Sequence, residues 1–178
     1  MDVRPCFIDE SALPGETAEA MTLRLCREKA EACSPGNHSV KVIIAADTLV
    51  AIDHEALGQP KDLAQARVMI QKLAGKTHQV HTGVCVRVGD MYKTDMVTTK
   101  VHFRNISDAE IDIYLQHNDI LDKAGAYAIQ GGASSFITAI EGSLDNVIGL
   151  PVLATQALIE AATRDAALQG AEMGEEKI

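Results

Sequence analysis

One long apolar run stands out in the chain, and the neighbouring elements are arranged around it. Residues Val40–Val50 are almost continuously aliphatic and small until an acid, Asp47, interrupts them. An unbroken apolar run of this length is typical of a strand covered on both faces. The pattern therefore predicts a central strand with Asp47 at its C-terminal end, where α/β proteins commonly bind ligands. The alternative is that Asp47 only closes a turn by bonding Thr48 and nearby amides.

Helical periodicity predicts four further elements. Apolar residues spaced three or four apart, together with capping residues, give helices at Thr17–Cys33, between Asp62 and Gly75, from the capping box Ser107–Glu110, and from Pro151 to about Arg164. In the second helix Gln65 is the expected capping-box partner of Asp62, and the apolar stripe is Leu63, Ala66, Ile70 and Leu73. The alternation of helices with apolar strands predicts an α/β fold.

The remaining strands are shorter or alternate in polarity. Val80–Val88 and Met96–Phe103 are predicted to form an antiparallel hairpin around Gly89 and Asp90. Val3–Ile8, broken by Pro5, is typical of an edge strand, and Phe136–Ile140 of a short one. Turns are expected at Ile52–Gly58 and Gly142–Asn146. We expect one domain over residues 1–164 and a flexible tail over residues 165–178.

Charge and hydropathy narrow the classes of partner. The net charge of the 178 residues is -9, and no Lys- or Arg-rich run interrupts the acidic background. This balance argues against a nucleic-acid polymer or an anionic membrane as partner, while a nucleotide stays compatible if a metal ion neutralises its phosphates. With no signal peptide and no apolar run of ~18 residues, we expect a cytoplasmic protein that inserts in no membrane.

The spacing of the cysteines and histidines does not favour a metal site. The cysteines are scattered without a C-x-x-C pair, and the expectation is buried free thiols in a reducing compartment: Cys6, Cys26, Cys33 and Cys85. His78 and His81 form an H-x-x-H pair, but a separation of three on a strand places them on opposite faces. We therefore interpret them as polar strand positions.

Two features suggest a ligand cleft without identifying the ligand. Lys29 falls on the apolar stripe of the first helix, where its ammonium either reaches out to water or enters a cleft. The segment Asp122–Gly132 is rich in small residues, which permit close backbone approach to a ligand or simply form a tight loop. Because no P-loop or nucleophile motif is present, the residues alone predict an α/β domain with an acid-lined cleft.

Several segments in order along the chain resemble the Maf family of nucleoside triphosphate pyrophosphatases. They are Asp9–Ser11, Arg27–Ala30, Ala45–Thr48, Leu73–Gly83, Asp122–Gly131, Gly142–Ser143 and Asn146–Pro151. Their order and spacing cover nearly the whole chain. The resemblance implies a mixed, twisted sheet with helices on both sides and two lobes around a cleft, and homodimers are common in the family.

The resemblance also implies an activity and roles for residues. A nucleoside triphosphate would be hydrolysed to the monophosphate and pyrophosphate with Mg²⁺ or Mn²⁺. Asp47 would hold the metal or activate the water, Glu10 would be a second carboxylate on the metal, and Lys29 would neutralise phosphate charge. Thr48 and Gln130 correspond to residues linked to base selection. The form Ala126–Gly131 resembles the branch that acts on dTTP and UTP rather than the branch that acts on 7-methyl-GTP.

The chain departs from the family pattern at two places. The Ser-x-Ser-Pro-Arg-Arg segment that grips phosphates in the family is absent, and Gln59 stands where the family has a lysine, with Lys61 nearby as another candidate phosphate contact. Three explanations of the absent segment stay open: a start codon placed too far downstream, another element that fills the gap, or self-association through the exposed edge. Fewer charge-assisted phosphate contacts raise an alternative, a nucleotide-binding or regulatory protein with impaired catalysis.

Overall fold

The computed structural model describes residues 3–33 and 42–175, with side chains described as far as 169. The elements in chain order are α1 (Ala18–Ala32), β1 (Val42–Ile52), β2 (Glu55–Leu57), α2 (Leu63–Leu73), β3 (Thr77–Val88), β4 (Met91–Phe103), α3 (Asp108–His117), β5 (Ile137–Glu141), α4 (Leu144–Ile148) and α5 (Val152–Glu175). Short 3₁₀ turns at Ala124–Ala126, Ile129–Gly131 and Ala133–Phe136 link α3 to β5. The combination confirms the predicted α/β class.

The strands form one sheet in the order β2-β1-β3-β4-β5. Every neighbouring pair of described strands is antiparallel, so the mixed pairing implied by the family resemblance is not found within them. β3 and β4 form the long hairpin that alternation predicted, joined at Gly89 and Asp90. The antiparallel register places Asp47 opposite Gly83 and Thr48 opposite Thr82.

Helices cover both faces of this sheet. On one face, Cys26 of α1 packs with Cys85 of β3. On the other face, Ala162 of α5 packs against Val84 and Val86. Successive residues of a strand point to opposite faces, so Cys85 faces one way and Val84 and Val86 face the other. The helices α1 and α5 therefore lie on opposite sides of the sheet.

The central strand departs from prediction at its beginning. Leu49–Ile52 is buried, but Val42 and Ile44 are 43% and 38% exposed, so only the second half of β1 is covered on both faces. Val40 and Lys41 lie outside the described residues. The main core forms where β1, β3 and β4 meet α2, α3 and the 3₁₀ turns, around Val80 and Phe103.

The segment before α1 has no regular secondary structure and pairs with none of the described strands. Val3 and Phe7 are 84% and 92% exposed, so the predicted edge strand at Val3–Ile8 is wrong. Pro5 removes one N–H donor from any such pairing. The segment runs back along α1, where a disulfide joins Cys6 to Cys33. The expectation of four free thiols is therefore wrong for this pair and confirmed for the buried Cys26 and Cys85.

Several element boundaries also differ from prediction. The turn expected after β1 contains β2, and the turn expected at Gly142–Asn146 contains the start of α4. The last helix continues to Glu175, past the end predicted near Arg164, while the division into a domain and a tail stays a prediction.

The capping residues of α2 and α3 are close to expectation. Asp62 caps α2 by accepting from the Gln65 N–H, but the Gln65 side chain accepts from the Lys61 N–H instead of completing a box. Leu63 is 53% exposed and lies off the buried stripe. The capping box of Ser107 and Glu110 is confirmed. Within the described residues, no helix combines the length and apolarity needed to cross a membrane.

Candidate active site

The site is centred on an acid in the middle of the sheet. Asp47 is 7% exposed and lies within β1, which continues through Ile52 instead of ending at the acid as predicted. Its partner across the β1–β3 ladder is Gly83. A Cβ on Gly83 would lie 2.7 Å from the backbone oxygen of Thr22, so the absent side chain lets α1 approach the sheet closely. This approach brings α1 over Asp47.

Lys29 projects from α1 into this space and enters the cleft rather than bulk water. Its ammonium donates a short hydrogen bond to Asp47 Oδ1. It also lies 2.7 Å from Glu10 Oε1. An ammonium has three N–H donors, so two are engaged by carboxylates and one is left for a ligand. The structure thus brings together the three residues that sequence analysis placed in catalysis.

Burial is the largest influence on the pKa values of Asp47 and Lys29. It raises the pKa of the Asp47 carboxyl above its ordinary value, and the Lys29 ammonium only partly offsets that effect. For Lys29, burial is the largest single influence and opposes the charge, but the bonds to Asp47 and Glu10 together raise the pKa of the ammonium. A carboxyl with a raised pKa beside a fixed cation is typical of proton-transfer sites in enzymes.

Glu10 reaches Lys29 from a strap, residues 6–16, that is fastened to α1 at both ends. At one end the disulfide ties Cys6 to Cys33. At the other end Arg24 grips both carboxylate oxygens of Glu16, at 2.7 and 2.8 Å, and donates to the backbone oxygen of Ser11 at 3.0 Å. The Arg24 hydrogen bonds lower the pKa of Glu16 to about 2. Glu10 is therefore presented to Lys29 by a segment held in place on the helix.

A cleft of about 630 Å³ opens over these residues. Its lining includes all but one of the predicted site residues: Glu10, Lys29, Asp47, Thr48, Gln59 and Gln130. Lys61 is not among the lining residues. A mainly apolar wall of the cleft is formed by Tyr127–Ile129 and Val147–Gly149. The segment of small residues at 122–132 thus lies at the ligand space, as its composition suggested.

Comparison with known proteins bears directly on this arrangement. The family model described as "Maf-like protein" matches residues 1–162. The chain belongs to the Maf family. This Maf protein is 46% identical over 166 residues to a protein named dTTP/UTP pyrophosphatase from Anaeromyxobacter dehalogenans (strain 2CP-C), covering 91% of this chain and 83% of the relative.

Two further relatives of this Maf protein carry the same name. The dTTP/UTP pyrophosphatase of Myxococcus xanthus is 45% identical over 155 residues, which cover 87% of this chain and 78% of the relative. That of Chromobacterium violaceum is 46% identical over 156 residues, covering 85% and 79%. Relatives named for a pyrophosphatase give no support to the alternative of an impaired binding protein.

The donor set of this Maf site suits a hard cation only in part. Among the described residues, no group of three or more His, Cys, Asp and Glu side chains is placed to hold a metal. Asp47 and Glu10 nevertheless converge on one point, which Lys29 Nζ occupies. Mg²⁺ is usually held by one or two carboxylates plus substrate phosphates and waters, so the pair fits that mode when a phosphate completes the shell.

Several residues that organise the Maf site carry little signal in the sequence. Arg24 carries a recognisable pattern, since Glu28 follows it by four residues on a helix, but its bond to Glu16 depends on the strap folding back. Thr82 and Asn146 are buried polar residues that join β3 to α4. Thr82 is one of several polar residues in β3, so the sequence alone does not distinguish it.

Proposed function

We propose that this chain is a nucleoside triphosphate pyrophosphatase that hydrolyses dTTP and UTP to the monophosphate and pyrophosphate. The observation that carries the proposal is the Lys29 ammonium held between Asp47 and Glu10 inside the cleft, in a chain similar to proteins named for this reaction. The cleft volume lies in the range of sites that enclose small ligands.

The reaction follows from the chemistry of these groups. A water oxygen attacks the α-phosphorus, the bond from that phosphorus to the α–β bridging oxygen breaks, and pyrophosphate leaves. Asp47 accepts the proton of the attacking water, because its raised pKa makes it a better base than an ordinary aspartate. The free N–H of Lys29 donates to a phosphate oxygen and stabilises the charge that develops there.

The charges lining the cleft explain why a cation accompanies the substrate. The lining acids are Asp9, Glu10, Asp47 and Asp122, against the two lysines Lys29 and Lys123. A triphosphate would be repelled by this surface unless its charge were partly neutralised. Pyrophosphatases of this family are a metal-dependent kind of enzyme. With Asp47 acting as the base, Glu10 would hold Mg²⁺ or Mn²⁺ together with the substrate phosphates, and the ion supplies charge neutralisation on the phosphates when bound.

We place the base against the mainly apolar wall of the cleft. Thr48 and Gln130 line this part together with Tyr127–Ile129 and Val147–Gly149, and the apolar wall suits the flat face of a pyrimidine. Gln59 offers a neutral hydrogen-bonding contact to the phosphates in place of a charged one. We propose that Lys61 contributes only long-range charge, since it lies outside the lining.

The test is pyrophosphate release from dTTP, UTP, CTP and 7-methyl-GTP with Mg²⁺ or Mn²⁺, and with chelator. We expect release from dTTP and UTP that requires the metal and falls ~10²-fold or more in Asp47→Asn. Because Asp47 acts deprotonated, kcat/KM should fall as the pH drops through its raised pKa. A folded protein that binds these nucleotides but releases no pyrophosphate at any pH would refute the proposal.

A further inference from the structure

A chain of buried hydrogen bonds runs from the cleft into the sheet. Thr48 Oγ1 and Thr82 Oγ1, paired across β1 and β3, are 2.9 Å apart. Thr82 Oγ1 is in turn 2.9 Å from the backbone oxygen of Asn146 in α4. Thr82 is fully buried, so its hydroxyl has no access to water.

The donor in each of these bonds follows from a count of protons. A hydroxyl carries a single hydrogen, and a carbonyl oxygen only accepts. The contact to Asn146 therefore exists only with Thr82 as donor. If the Thr82 hydroxyl donated to Thr48 instead, Thr82 Oγ1 and the Asn146 backbone oxygen would lie 2.9 Å apart in a buried site with no hydrogen between them. Thr48 is consequently the donor to Thr82.

The Asn146 carbonyl is held firmly enough to enforce this direction. The Asn146 side-chain amide donates to the Val80 backbone oxygen at 2.9 Å and to Thr99 Oγ1 at 3.0 Å. The Thr99 hydroxyl donates to the Ser143 backbone oxygen at 3.1 Å. The start of α4 is thereby locked onto β3 and β4. The Asn146 backbone oxygen also accepts from the Gly149 N–H at 3.0 Å, which fixes its position. A Thr82 hydroxyl turned toward Thr48 would leave this oxygen 2.9 Å from another oxygen with no hydrogen between them, so the orientation toward Asn146 is preferred.

The consequence appears at the cleft surface. Thr48 is half-buried and lines the cleft, and its oxygen lies 3.6 Å from where a Cβ would stand on Gly149. The hydroxyl is therefore on the α4 side, beside the apolar wall, while its neighbour Asp47 faces Lys29 under α1. Since its one proton points inward to Thr82, Thr48 presents only lone pairs to a ligand.

We propose that Thr82 is a specificity-determining residue: through the Asn146 carbonyl it fixes Thr48 as an acceptor, which selects a base carrying a ring N–H at position 3. Uracil and thymine carry this donor, whereas N3 of cytosine is itself an acceptor and would meet the Thr48 lone pairs without a proton. The inference rests on the proposed function for the placement of the base. Thr82 touches no substrate and acts by orienting Thr48.

The experiment measures binding and turnover separately. The dissociation constants of the α,β-methylene analogues of UTP and CTP are determined calorimetrically with Mg²⁺, beside kcat/KM for UTP and CTP. In Thr82→Val the Thr48 hydroxyl loses its acceptor and is free to donate to N3 of cytosine. The preference for UTP over CTP should shrink ~10-fold in binding and in kcat/KM, and Thr82→Ser, which keeps the hydroxyl, should restore it.

A second variant keeps the test decisive if Thr82→Val folds poorly. Thr48→Val removes the acceptor itself, so UTP binding should weaken ~10-fold while CTP binding is unchanged; a larger loss for CTP would show that Thr48 donates and would overturn the inference. An unchanged preference in folded Thr82→Val would overturn it as well.

Failure of the inference is distinguishable from failure of the proposed function. Analogue binding with the expected preference but no hydrolysis would refute the pyrophosphatase and leave the role of Thr82 standing. Hydrolysis with no preference between UTP and CTP would leave the pyrophosphatase standing and refute the role of Thr82. Binding of neither analogue would refute both.

Discussion

Asp47 and Gly83 face each other across β1 and β3, and the missing side chain of Gly83 is what allows α1 to bring Lys29 to the acid. An ideal Cβ at Gly83 would also lie 3.1 Å from Cys26 Sγ. The atom that blocks a side chain there is the backbone oxygen of Thr22, which moves only if the helix moves. The spacing between helix and sheet is thus part of the active-site geometry.

We expect Gly83→Ala to lower the free energy of unfolding by about 1–3 kcal/mol through overpacking and to reduce kcat more than stability alone explains. The helix must shift, and the shift lengthens the contact between Lys29 and Asp47. Chemical denaturation and steady-state kinetics measure the two effects. Gly58→Ala is the matched control for the denaturation measurement, because a Cβ there meets nothing within 4 Å. Wild-type kinetics in Gly83→Ala would contradict the account.

Arg24 is expected to act on catalysis through the position of Glu10. Arg24→Ala releases Glu16 and Ser11 from α1, so the strap no longer presents Glu10 to Lys29. We expect kcat/KM to fall about tenfold and the Mg²⁺ concentration for half-maximal rate to rise. Arg24→Lys should recover only part of the loss, because an ammonium cannot grip both carboxylate oxygens in a planar fork.

The control for this prediction is Arg27→Ala on the same helix. Arg27 forms an exposed pair with Glu31 and lies over the Tyr92 ring, 5.1 Å from its centroid, and neither partner belongs to the strap. Its removal should change stability by less than about 1 kcal/mol and leave the metal dependence as in wild type. Equal effects of the two substitutions on the metal dependence would mean that Arg24 is only a source of charge.

The Cys6–Cys33 disulfide is expected to stabilise the strap. Its sequence separation is 27 residues, and closing a loop of that size lowers the entropy of the unfolded chain by an amount worth about 3–4 kcal/mol. Cys6→Ser, or reduction of the wild type with a dithiol, should lower the free energy of unfolding by about that amount. The reductant should have no further effect on Cys6→Ser. Denaturation curves that are insensitive to both changes would contradict the prediction.

His78 should make stability depend on pH. It is 2% exposed and bonded to the Tyr127 hydroxyl at 2.8 Å, and burial lowers the pKa of His78 to about 4. The native state therefore resists protonation that the unfolded chain accepts near pH 6.5. The associated stability is intact above pH 6.5 and is lost as the pH falls toward 4, amounting to about 3 kcal/mol.

Urea denaturation between pH 4 and pH 7 measures this loss. His78→Gln keeps a hydrogen-bonding side chain without a titratable group, so its stability should change less over the same interval. If both proteins lose stability equally, other groups account for the acid sensitivity.

Local chemistry made much of the fold predictable. The capping box at Ser107 and Glu110 and the alternation in β3 each depend on neighbouring residues alone. Both elements formed, although β3 begins at Thr77 rather than at the predicted Val80. The end of α5 was missed because its apolar stripe fades near Arg164, although alanine and glutamate continue to favour helix. The Cys6–Cys33 disulfide depends on the strap folding back, which no local pattern encodes.

The site was predictable in its members but not in its geometry. The family segments marked Glu10, Lys29 and Asp47, yet periodicity left Lys29 undecided between water and cleft. Its destination is decided by Gly83, a residue of another element whose contribution is the absence of a side chain. The direction of the Thr48 hydrogen bond likewise depends on Asn146, far along the chain. Such features depend on tertiary contacts rather than on composition or spacing.

The cleft unites residues from distant parts of the sequence, with Glu10 on the strap at one side and Gly149 beyond α4 at the other. During synthesis the β3–β4 hairpin pairs soon after it is made, because its contacts are local. The ligand space, by contrast, cannot be enclosed before α4 has left the ribosome and docked on the sheet. Nascent chains released before that point would carry Lys29 and Asp47 yet lack the wall that receives a base, so nucleotide binding reports the completion of folding.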